Sequence, residues 1–271
     1  MVAFPNAKIN LGLYVTSKRS DGYHNLVSCF YPVDWKEALE VIPSSSFSFS
    51  SSGLNVPGDS VSNLVVKAYQ LMREKYNVPT SSIHLHKAIP MGAGLGGGSA
   101  DAAFTLTLLN QLYQLSLSTE ELIQLSAQLG SDCAFFIHNT PCLATSRGEV
   151  LTPLSCSLKG YVILLIHPGI HISTQQAYAG VKPKPIDFNL EELLKEKPEA
   201  WKDKLHNQFE EHLFVTFPEV AQIKQKLYNS GASYASMSGS GSAVYGIFKD
   251  DQSLEEMKWP KDYRVKVVSG Q

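Results

Sequence analysis

The sequence has few of the features that mark nucleic-acid-binding, secreted or membrane proteins. Its 23 Lys and Arg residues are balanced by 25 Asp and Glu residues, so no basic field exists to hold a phosphate backbone. The four cysteines show no C-x-x-C spacing, which indicates neither a zinc site nor a redox pair and predicts reduced thiols. The longest apolar run, residues 162–166, is too short to cross a bilayer. With no secretory signal visible at the N-terminus, we predict a soluble cytoplasmic protein.

The order of strand and helix patterns predicts an α+β fold. A length of 271 residues with 44% hydrophobic content allows a large core. Strands and helices are mixed without strict alternation, which argues against a doubly wound sheet. The pattern loosens over residues 151–158, so we predict two lobes, residues 1–152 and 153–271. Predicted strands cover residues 7–16, 24–31, 44–53, 83–86 and 161–166. Two predicted helices cover residues 64–76 and 118–130. Two others begin at Ser99 and at Pro218, and a further one carries Leu205, Phe209 and Leu213.

A glycine-rich segment, residues 90–99, is the strongest chemical signal. Five glycines in seven positions carry a large entropic cost, which suggests close approach of the backbone to a ligand. Because the segment lies between a predicted strand and a predicted helix start, its N–H groups would suit a polyphosphate. A merely flexible loop is the alternative. The segment has no Walker pattern. Its G-x-G-x-x-G is not followed by the strand of a dinucleotide site, because the acidic residues near the required distance, Glu120 and Glu121, lie in the first turn of a predicted helix.

Three sequence motifs resemble those of the GHMP kinases, named for galacto-, homoserine, mevalonate and phosphomevalonate kinases. Residues 90–103 read P-M-G-A-G-L-G-G-G-S-A-D-A-A, residues 7–11 read A-K-I-N-L, and residues 237–242 read M-S-G-S-G-S. Within this family, the sequence is similar to the kinases of a cytidyl-linked erythritol in the non-mevalonate isoprenoid pathway. The stretches that carry this similarity are residues 19–24 and 129–132, Pro168-Gly169 and Ser173-Thr174. The resemblance implies a two-lobed α+β fold that binds ATP, Mg²⁺ and an alcohol substrate in the cleft between the lobes.

The resemblance also implies the catalytic residues. Asp132 would accept the proton of the acceptor hydroxyl, whereas its residue type alone suggests only an ordinary loop aspartate. Lys8 would stabilise charge on the migrating phosphoryl group; the alternative is an outward-facing lysine on a strand. The third motif would form a tight turn beside the phosphate loop. No side chain is assigned to the metal, and His84 and His86 are expected to be surface residues, since a third ligand is lacking.

Binding residues follow from the same matches. For ATP they are Asn63, Lys87, Pro90, Met91, Gly92, Ala93, Gly94, Leu95, Gly96, Gly97, Gly98, Ser99 and Ala100. For the cytidyl substrate they are Asn10, Tyr23, His24 and Thr174. Ser99 could instead cap the helix that follows, or reach a phosphate-bound magnesium ion. Asp101 is predicted in the first helical turn, where compensation of the helix dipole explains it.

Two rival functions remain open from the sequence. A sibling kinase of the mevalonate or homoserine type would use the same loop without a cytosine pocket. A non-catalytic RNA-binding module is the second rival, since the first lobe of this family resembles a fold of ribosomal proteins; the acidic balance opposes it. We therefore predict a small-molecule substrate and neither a nucleic-acid nor a membrane partner, and the sequence indicates no oligomeric state.

Overall fold

Two discontinuous sets of residues make up the structure. The computed structural model describes residues 1–56, 58–250, 254 and 257–271. Unit 1 comprises Met1–Ala7, Trp35–Met91 and Gly96–Thr140, and unit 2 comprises Lys8–Asp34, Gly92–Leu95 and Pro141–Gln271. This division differs from the single boundary predicted between residues 152 and 153. The reason is strand pairing, because the first long strands join a sheet with strands that follow residue 141.

Among its described residues, unit 1 contains one four-stranded sheet and four α-helices. Its strands are β1 (Val2–Ala3), β4 (Ala38–Pro43), β5 (Ser48–Gly53) and β6 (Ser81–Lys87), in the order β1-β4-β6-β5. The β5–β6 pair is parallel, and the β1–β4 and β4–β6 pairs are antiparallel. The helices are α1 (Leu64–Tyr76), α2 (Gly97–Leu112), α3 (Thr119–Ser126) and α4 (Cys133–His138). Helix α2 packs against α1, α3 and α4, so the start of α2 is held by the rest of the unit.

Local signals explain where α1 begins and ends. The Asn63 side chain accepts a hydrogen bond from the N–H of Val65, which caps the helix N-terminus. Asn77 adopts a left-handed conformation after the last turn, as C-terminal capping residues often do. The buried face includes Tyr69 and Met72, and each such side chain stabilises the fold by about 1.5–3 kcal/mol. The predicted bounds of this helix are confirmed.

Helix α3 starts as predicted but ends early. Ser118 and Glu121 form the capping box. The helix ends at Ser126, however, so the prediction that it extends to Gly130 is wrong. The Ser126 hydroxyl donates to the carbonyl oxygen of Ile123, which also accepts the N–H of Ala127. A serine that bonds back to its own helix weakens the regular pattern, and the chain continues in tighter turns to Gly130.

Among its described residues, unit 2 contains two four-stranded sheets and four α-helices. The first sheet has the order β2-β3-β7-β8, with β2 (Asn6–Lys18), β3 (His24–Lys36), β7 (Cys142–Ser146) and β8 (Val150–Pro153). The second is antiparallel, in the order β10-β11-β9-β12, with β9 (Val162–His167), β10 (Tyr234–Met237), β11 (Val244–Phe248) and β12 (Arg264–Ser269). The helices are α5 (Thr174–Ala179), α6 (Leu190–Lys195), α7 (Glu210–Thr216) and α8 (Pro218–Asn229). Helix α8 packs on β10 and β11.

One helix of unit 2 was predicted with the wrong bounds. Leu205 and Phe209 precede α7 instead of lying on it. The backbone groups between them are hydrogen-bonded to β2. The N–H of Leu13 donates to the carbonyl oxygen of His206, and the N–H of Gln208 donates to the carbonyl oxygen of Leu13. A segment bonded to a strand in this way cannot make helical hydrogen bonds. None of the described helices combines the length and apolarity needed to traverse a bilayer.

Candidate active site

In unit 1, the start of α2 presents backbone N–H groups that no side chain caps. Gly96 is the N-cap, with a left-handed φ of 73° and no side chain to cap the first turn. The helix begins at Gly97, two residues before the predicted start. Ser99 is therefore its third residue and does not cap it. N–H groups at an uncapped helix start, with the positive end of the helix dipole, suit a phosphate.

The rest of the predicted phosphate loop varies in exposure. Three of its glycines adopt left-handed conformations, with φ values of 63°, 77° and 73° at Gly92, Gly94 and Gly96. Met91 is exposed. The following residues of the loop are buried or half-buried: Pro90, Ala93, Leu95, Gly97, Gly98, Ser99 and Ala100. The loop is thus a set of tight turns anchored by its apolar members, and not a merely flexible segment.

Lys87 and Asp101 form a buried ion pair in unit 1. Lys87 Nζ lies 2.8 Å from Asp101 Oδ2 and 2.7 Å from Glu37 Oε1. Asp101 lies beyond the first turn of α2 and is 2% exposed, so its prediction as a residue that compensates the helix dipole in the first turn is wrong. The ammonium of Lys87 is used by two carboxylates, and its contact with ATP stays a prediction. Sequence reasoning missed Glu37, because it lies 50 residues from its lysine.

Asp132 and Asn63 both stand at helix N-termini in unit 1. Asp132 is the N-cap of α4, without a side-chain cap hydrogen bond, and is half-buried. It was predicted to follow the C-terminal end of a helix that extends to Gly130, and the early end of α3 changes that setting. A carboxylate at a helix N-terminus is stabilised by the helix dipole. The Asn63 oxygen caps α1, and its role in binding ATP stays a prediction.

In unit 2, Lys8 is held beside the glycine loop. Its side chain is 3% exposed, and Nζ donates to Asn10 Oδ1 at 2.5 Å and to the carbonyl oxygen of Gly94 at 3.1 Å. The ammonium also lies 4.9 Å from the ring centroid of Phe30. Asn10 donates to Ser28 Oγ, which fixes its amide orientation. Lys8 is therefore an inward-facing, positioned cation and not an outward-facing strand lysine.

The third motif packs directly on the same loop. Ser238 Oγ donates to the carbonyl oxygen of Gly94 at 2.9 Å, and the N–H of Ala243 donates to the carbonyl oxygen of Ala93 at 3.1 Å. Asn207 stabilises the turn, because its Nδ2 donates to the carbonyl oxygens of Met237 and Gly239 at 2.9 and 2.8 Å. The predicted tight turn beside the loop is confirmed. Asn207 was missed, since no local pattern marks it.

The residues predicted to bind the cytidyl group are also in unit 2. Tyr23 is exposed and carries the guanidinium of Arg147 over its ring at 4.9 Å. The imidazole of His24 is stacked on the ring of Tyr178, with centroids 5.0 Å apart and planes 21° apart. Burial, and then the charge of Lys18, lower the pKa of His24, so its ring is neutral at neutral pH and offers one donor and one acceptor.

Other predicted residues make simpler contacts. Thr174 is exposed in the first turn of α5, next to the capping residue Ser173. His84 and His86 hydrogen-bond serines of β5. The described residues contain no group of three or more His, Cys, Asp or Glu side chains able to hold a metal ion.

Comparison with known proteins agrees with these features. Residues 63–140 match the GHMP kinases N terminal domain, and residues 189–258 match the GHMP kinases C terminal domain. The chain belongs to the GHMP kinases, which are ATP-dependent phosphotransferases. The predicted α+β fold and the predicted family are therefore confirmed. A crystal structure of mevalonate kinase shares the fold, with a TM-score of 0.72 at 13% identity over 100% of this chain and 99% of that one.

The most informative relatives carry one name, 4-diphosphocytidyl-2-C-methyl-D-erythritol kinase. The protein of Cytophaga hutchinsonii is 52% identical over 92% of both chains, and that of Bacteroides thetaiotaomicron is 48% identical over 96% of both. A crystal structure of 4-(cytidine 5'-diphospho)-2C-methyl-D-erythritol kinase matches with a TM-score of 0.85 and 30% identity over all of both chains.

Proposed function

We propose that this protein transfers the γ-phosphoryl group of ATP to the 2-hydroxyl of 4-diphosphocytidyl-2-C-methyl-D-erythritol, giving ADP and the 2-phosphate. The observation that carries the proposal is the buried ammonium of Lys8, fixed 3.1 Å from the Gly94 carbonyl oxygen of the glycine loop. A positioned cation at a phosphate loop stabilises the charge of phosphoryl transfer. The names of relatives up to 52% identical support the choice of acceptor.

Each side chain has a separate part in the proposed reaction. The N–H groups of the loop and of the α2 start bind the phosphates of ATP. Asp132 accepts the proton as the acceptor oxygen attacks the γ-phosphorus, and the bond from that phosphorus to the bridging oxygen of ADP breaks. No covalent intermediate on the enzyme is needed. A Mg²⁺ ion bound to the ATP phosphates would neutralise further negative charge, and we assign no side chain to it.

Recognition of the acceptor is assigned to Asn10, Tyr23, His24 and Thr174. The neutral, half-buried His24 ring offers a donor and an acceptor for the polar edge of cytosine. The exposed Tyr23 ring offers a stacking surface. The four free cysteines fit the cytoplasmic location proposed here for this step of isoprenoid precursor synthesis.

A phosphoryl-transfer assay on a panel of alcohols tests the proposal. We expect turnover of the cytidyl erythritol to exceed that of mevalonate and homoserine by orders of magnitude. Preferred turnover of mevalonate or homoserine would assign the protein to a sibling activity. Tight, salt-dependent RNA binding without phosphoryl transfer would instead support the RNA-binding alternative.

The base assignment has its own test. Asp132→Asn should lower kcat by about 100- to 10,000-fold, the usual contribution of a positioned base. Affinity for ATP should change only slightly, because the loop is untouched. Asp203→Asn, at an exposed position of unit 2, is the control for loss of one carboxylate. Near-normal turnover of Asp132→Asn would show that another group accepts the proton.

A further inference from the structure

Three charged side chains meet in the interior of unit 1. Glu37, Lys87 and Asp101 are each 2% exposed, and Lys87 Nζ lies 2.7 Å from Glu37 Oε1 and 2.8 Å from Asp101 Oδ2. Glu37 lies between β3 and β4, Lys87 ends β6, and Asp101 lies in α2. We call these three residues the buried triad. Charged groups are rarely so fully buried unless their charges and hydrogen bonds are balanced.

The charges of the buried triad do not balance when all three groups are ionised. Two carboxylates and one ammonium leave a net charge of about −1 in a site without water-like screening. Among the described residues, Glu37 Oε2 and Asp101 Oδ1 are buried and have no hydrogen-bond partner. Because both carboxyl groups contact the same Lys87 Nζ, at 2.7 and 2.8 Å, they lie close to one another. One proton on either carboxyl group would remove the excess charge.

The electrostatics favour one proton on this pair of carboxyl groups at neutral pH, with Glu37 as a holder of it. Burial, and then the negative charge of Asp101, raise the pKa of Glu37 from 4.5 to about 8. Lys87 from β6 and the N–H of Ile89 act in the opposite direction without cancelling this rise. Burial raises the pKa of Asp101 as well, while Lys87, which donates to both carboxyl groups, acts in the opposite direction on each. These are the charged groups that face Glu37, one from β6 and one from α2.

The buried triad contacts the segments on both sides of the glycine loop. The N–H of Ile89, just before the loop, donates to Glu37 Oε1 at 3.1 Å. A Cβ atom at Gly97, the first residue of α2, would lie only 3.1 Å from Glu37 Oε1 and from Lys87 Nζ. Glycine at this position therefore lets the helix start directly against the triad. Any expansion of the triad would displace the donors at the α2 start.

We propose that Glu37 is a positioning residue that holds one proton, and that this proton lets the buried triad support the phosphate-binding start of α2. The proposal rests on the proposed function, since it assumes that the α2 start binds ATP phosphates. At neutral pH the proton lies between Glu37 and Asp101, and Lys87 pairs with the remaining negative charge. When the proton is lost, the unpaired charge disfavours the packing of the triad, and affinity for ATP falls.

The direction of the pH effect follows from linkage. Because the pKa of Glu37 is raised on folding, the folded protein binds a proton that the unfolded chain releases above about pH 4.5. The stabilisation is complete below that pH and is lost as pH rises to about 8. Within this window the unfolding equilibrium constant should rise about tenfold per pH unit from this group alone.

Glu37→Gln is the decisive variant, because an amide is uncharged and can donate to Asp101 as the protonated acid does. The ratio of unfolding constants, wild type to Glu37→Gln, should rise about tenfold per pH unit between about pH 5 and 8. The KM for ATP should rise severalfold in the wild type as pH passes above about 8, but not in Glu37→Gln, while kcat changes equally in both. Glu40→Gln, at an exposed position of β4, is the matched control and should follow the wild type.

A second variant and three outcomes complete the test. Asp101→Asn removes one carboxylate, so Glu37 pairs with Lys87 alone and the pH dependence should move to lower pH. A Glu37→Gln protein that keeps the wild-type slope overturns the proton assignment. Identical KM profiles for ATP in both proteins overturn the positioning role. A wild-type protein that binds no ATP refutes the proposed function, whereas the unfolding constants would still decide where the proton lies.

Discussion

The side chain of Ser238 donates a hydrogen bond to the carbonyl oxygen of Gly94 at 2.9 Å. The two residues are 144 positions apart in the chain. A Cβ atom at Gly94 would lie 1.9 Å from the carbonyl oxygen of Ser238, so their backbones approach this closely only because residue 94 has no side chain. Since the same Gly94 carbonyl accepts a hydrogen bond from Lys8, this contact couples the turn to the proposed catalytic cation.

Gly94→Ala should therefore abolish most activity. The methyl group requires a shift of the backbone, and a misplacement of about 1 Å can cost about 100-fold in rate. Gly160→Ala is the matched control, because Gly160 has a similar φ of 87° but no atom within 4 Å of an added Cβ. Both variants bear the strain of a left-handed alanine, about 1–2 kcal/mol. Equal losses of kcat/KM in the two would show that the close contact is unimportant.

Lys8→Met tests the charge in that contact. Methionine keeps the length of the side chain but removes the ammonium that bonds Asn10 and Gly94. We expect kcat to fall by about 100- to 1,000-fold, as for removal of one electrostatic contact in a transition state. Lys159→Met removes an exposed lysine and should leave kcat unchanged. Steady-state kinetics decide this, and a Lys8→Met enzyme with near-normal kcat would exclude Lys8 from catalysis.

Features that depend on neighbouring residues were predicted well from the sequence. The bounds of α1 and the capping box at Ser118 follow from local patterns and agree with the structure. The glycine loop was also recognised, although α2 begins two residues before Ser99. Such features need only the preferences of a few consecutive residues, which a single sequence displays.

Features that depend on distant residues were missed. Nothing near Glu37 reveals that it will pair with Lys87, 50 residues away. The periodicity of Leu205, Phe209 and Leu213 indicated a helix, but backbone pairing with Leu13 prevented it before Glu210. Tertiary hydrogen bonds override local preference when the groups are buried, because unpaired backbone groups are costly.

Asn207 provides a sharp test of the support behind the third motif. Its Nδ2 donates to the carbonyl oxygens of Met237 and Gly239, and its Oδ1 accepts the N–H of Phe209. Asn207→Ala should lower the free energy of unfolding by about 2–4 kcal/mol, because two buried acceptors lose their donor. The measurement is denaturant unfolding, followed by kcat/KM under conditions where the variant is folded.

Asn207→Asp separates hydrogen bonding from packing. Aspartate has nearly the same shape and still accepts from Phe209, but it places an oxygen against the carbonyls of Met237 and Gly239. It should therefore be at least as unstable as the alanine variant at neutral pH. If Asn207→Asp were as stable as the wild type, the two donated hydrogen bonds would contribute nothing to the turn.

The stack between His24 and Tyr178 leads to a prediction on substrate choice. Because the rings lie 5.0 Å apart and nearly parallel, Tyr178 limits the orientations of the imidazole. Tyr178 itself is held by an edge contact with Phe209 at 4.9 Å. Tyr178→Ala should raise the KM for the cytidyl substrate about tenfold, consistent with the loss of about 0.5–1.5 kcal/mol of ring contact together with the freedom returned to His24.

Tyr178→Phe is the matched control, since it keeps the ring and removes only the hydroxyl. It should retain the wild-type KM for the cytidyl substrate, and neither variant should alter the KM for ATP by more than a small factor. His24→Ala should resemble Tyr178→Ala, and the double variant should be no worse than His24→Ala because both act through the same imidazole. Additive effects of the two single changes would show that Tyr178 contributes independently of His24, and a parallel rise in the KM for ATP would point to a general loss of structure.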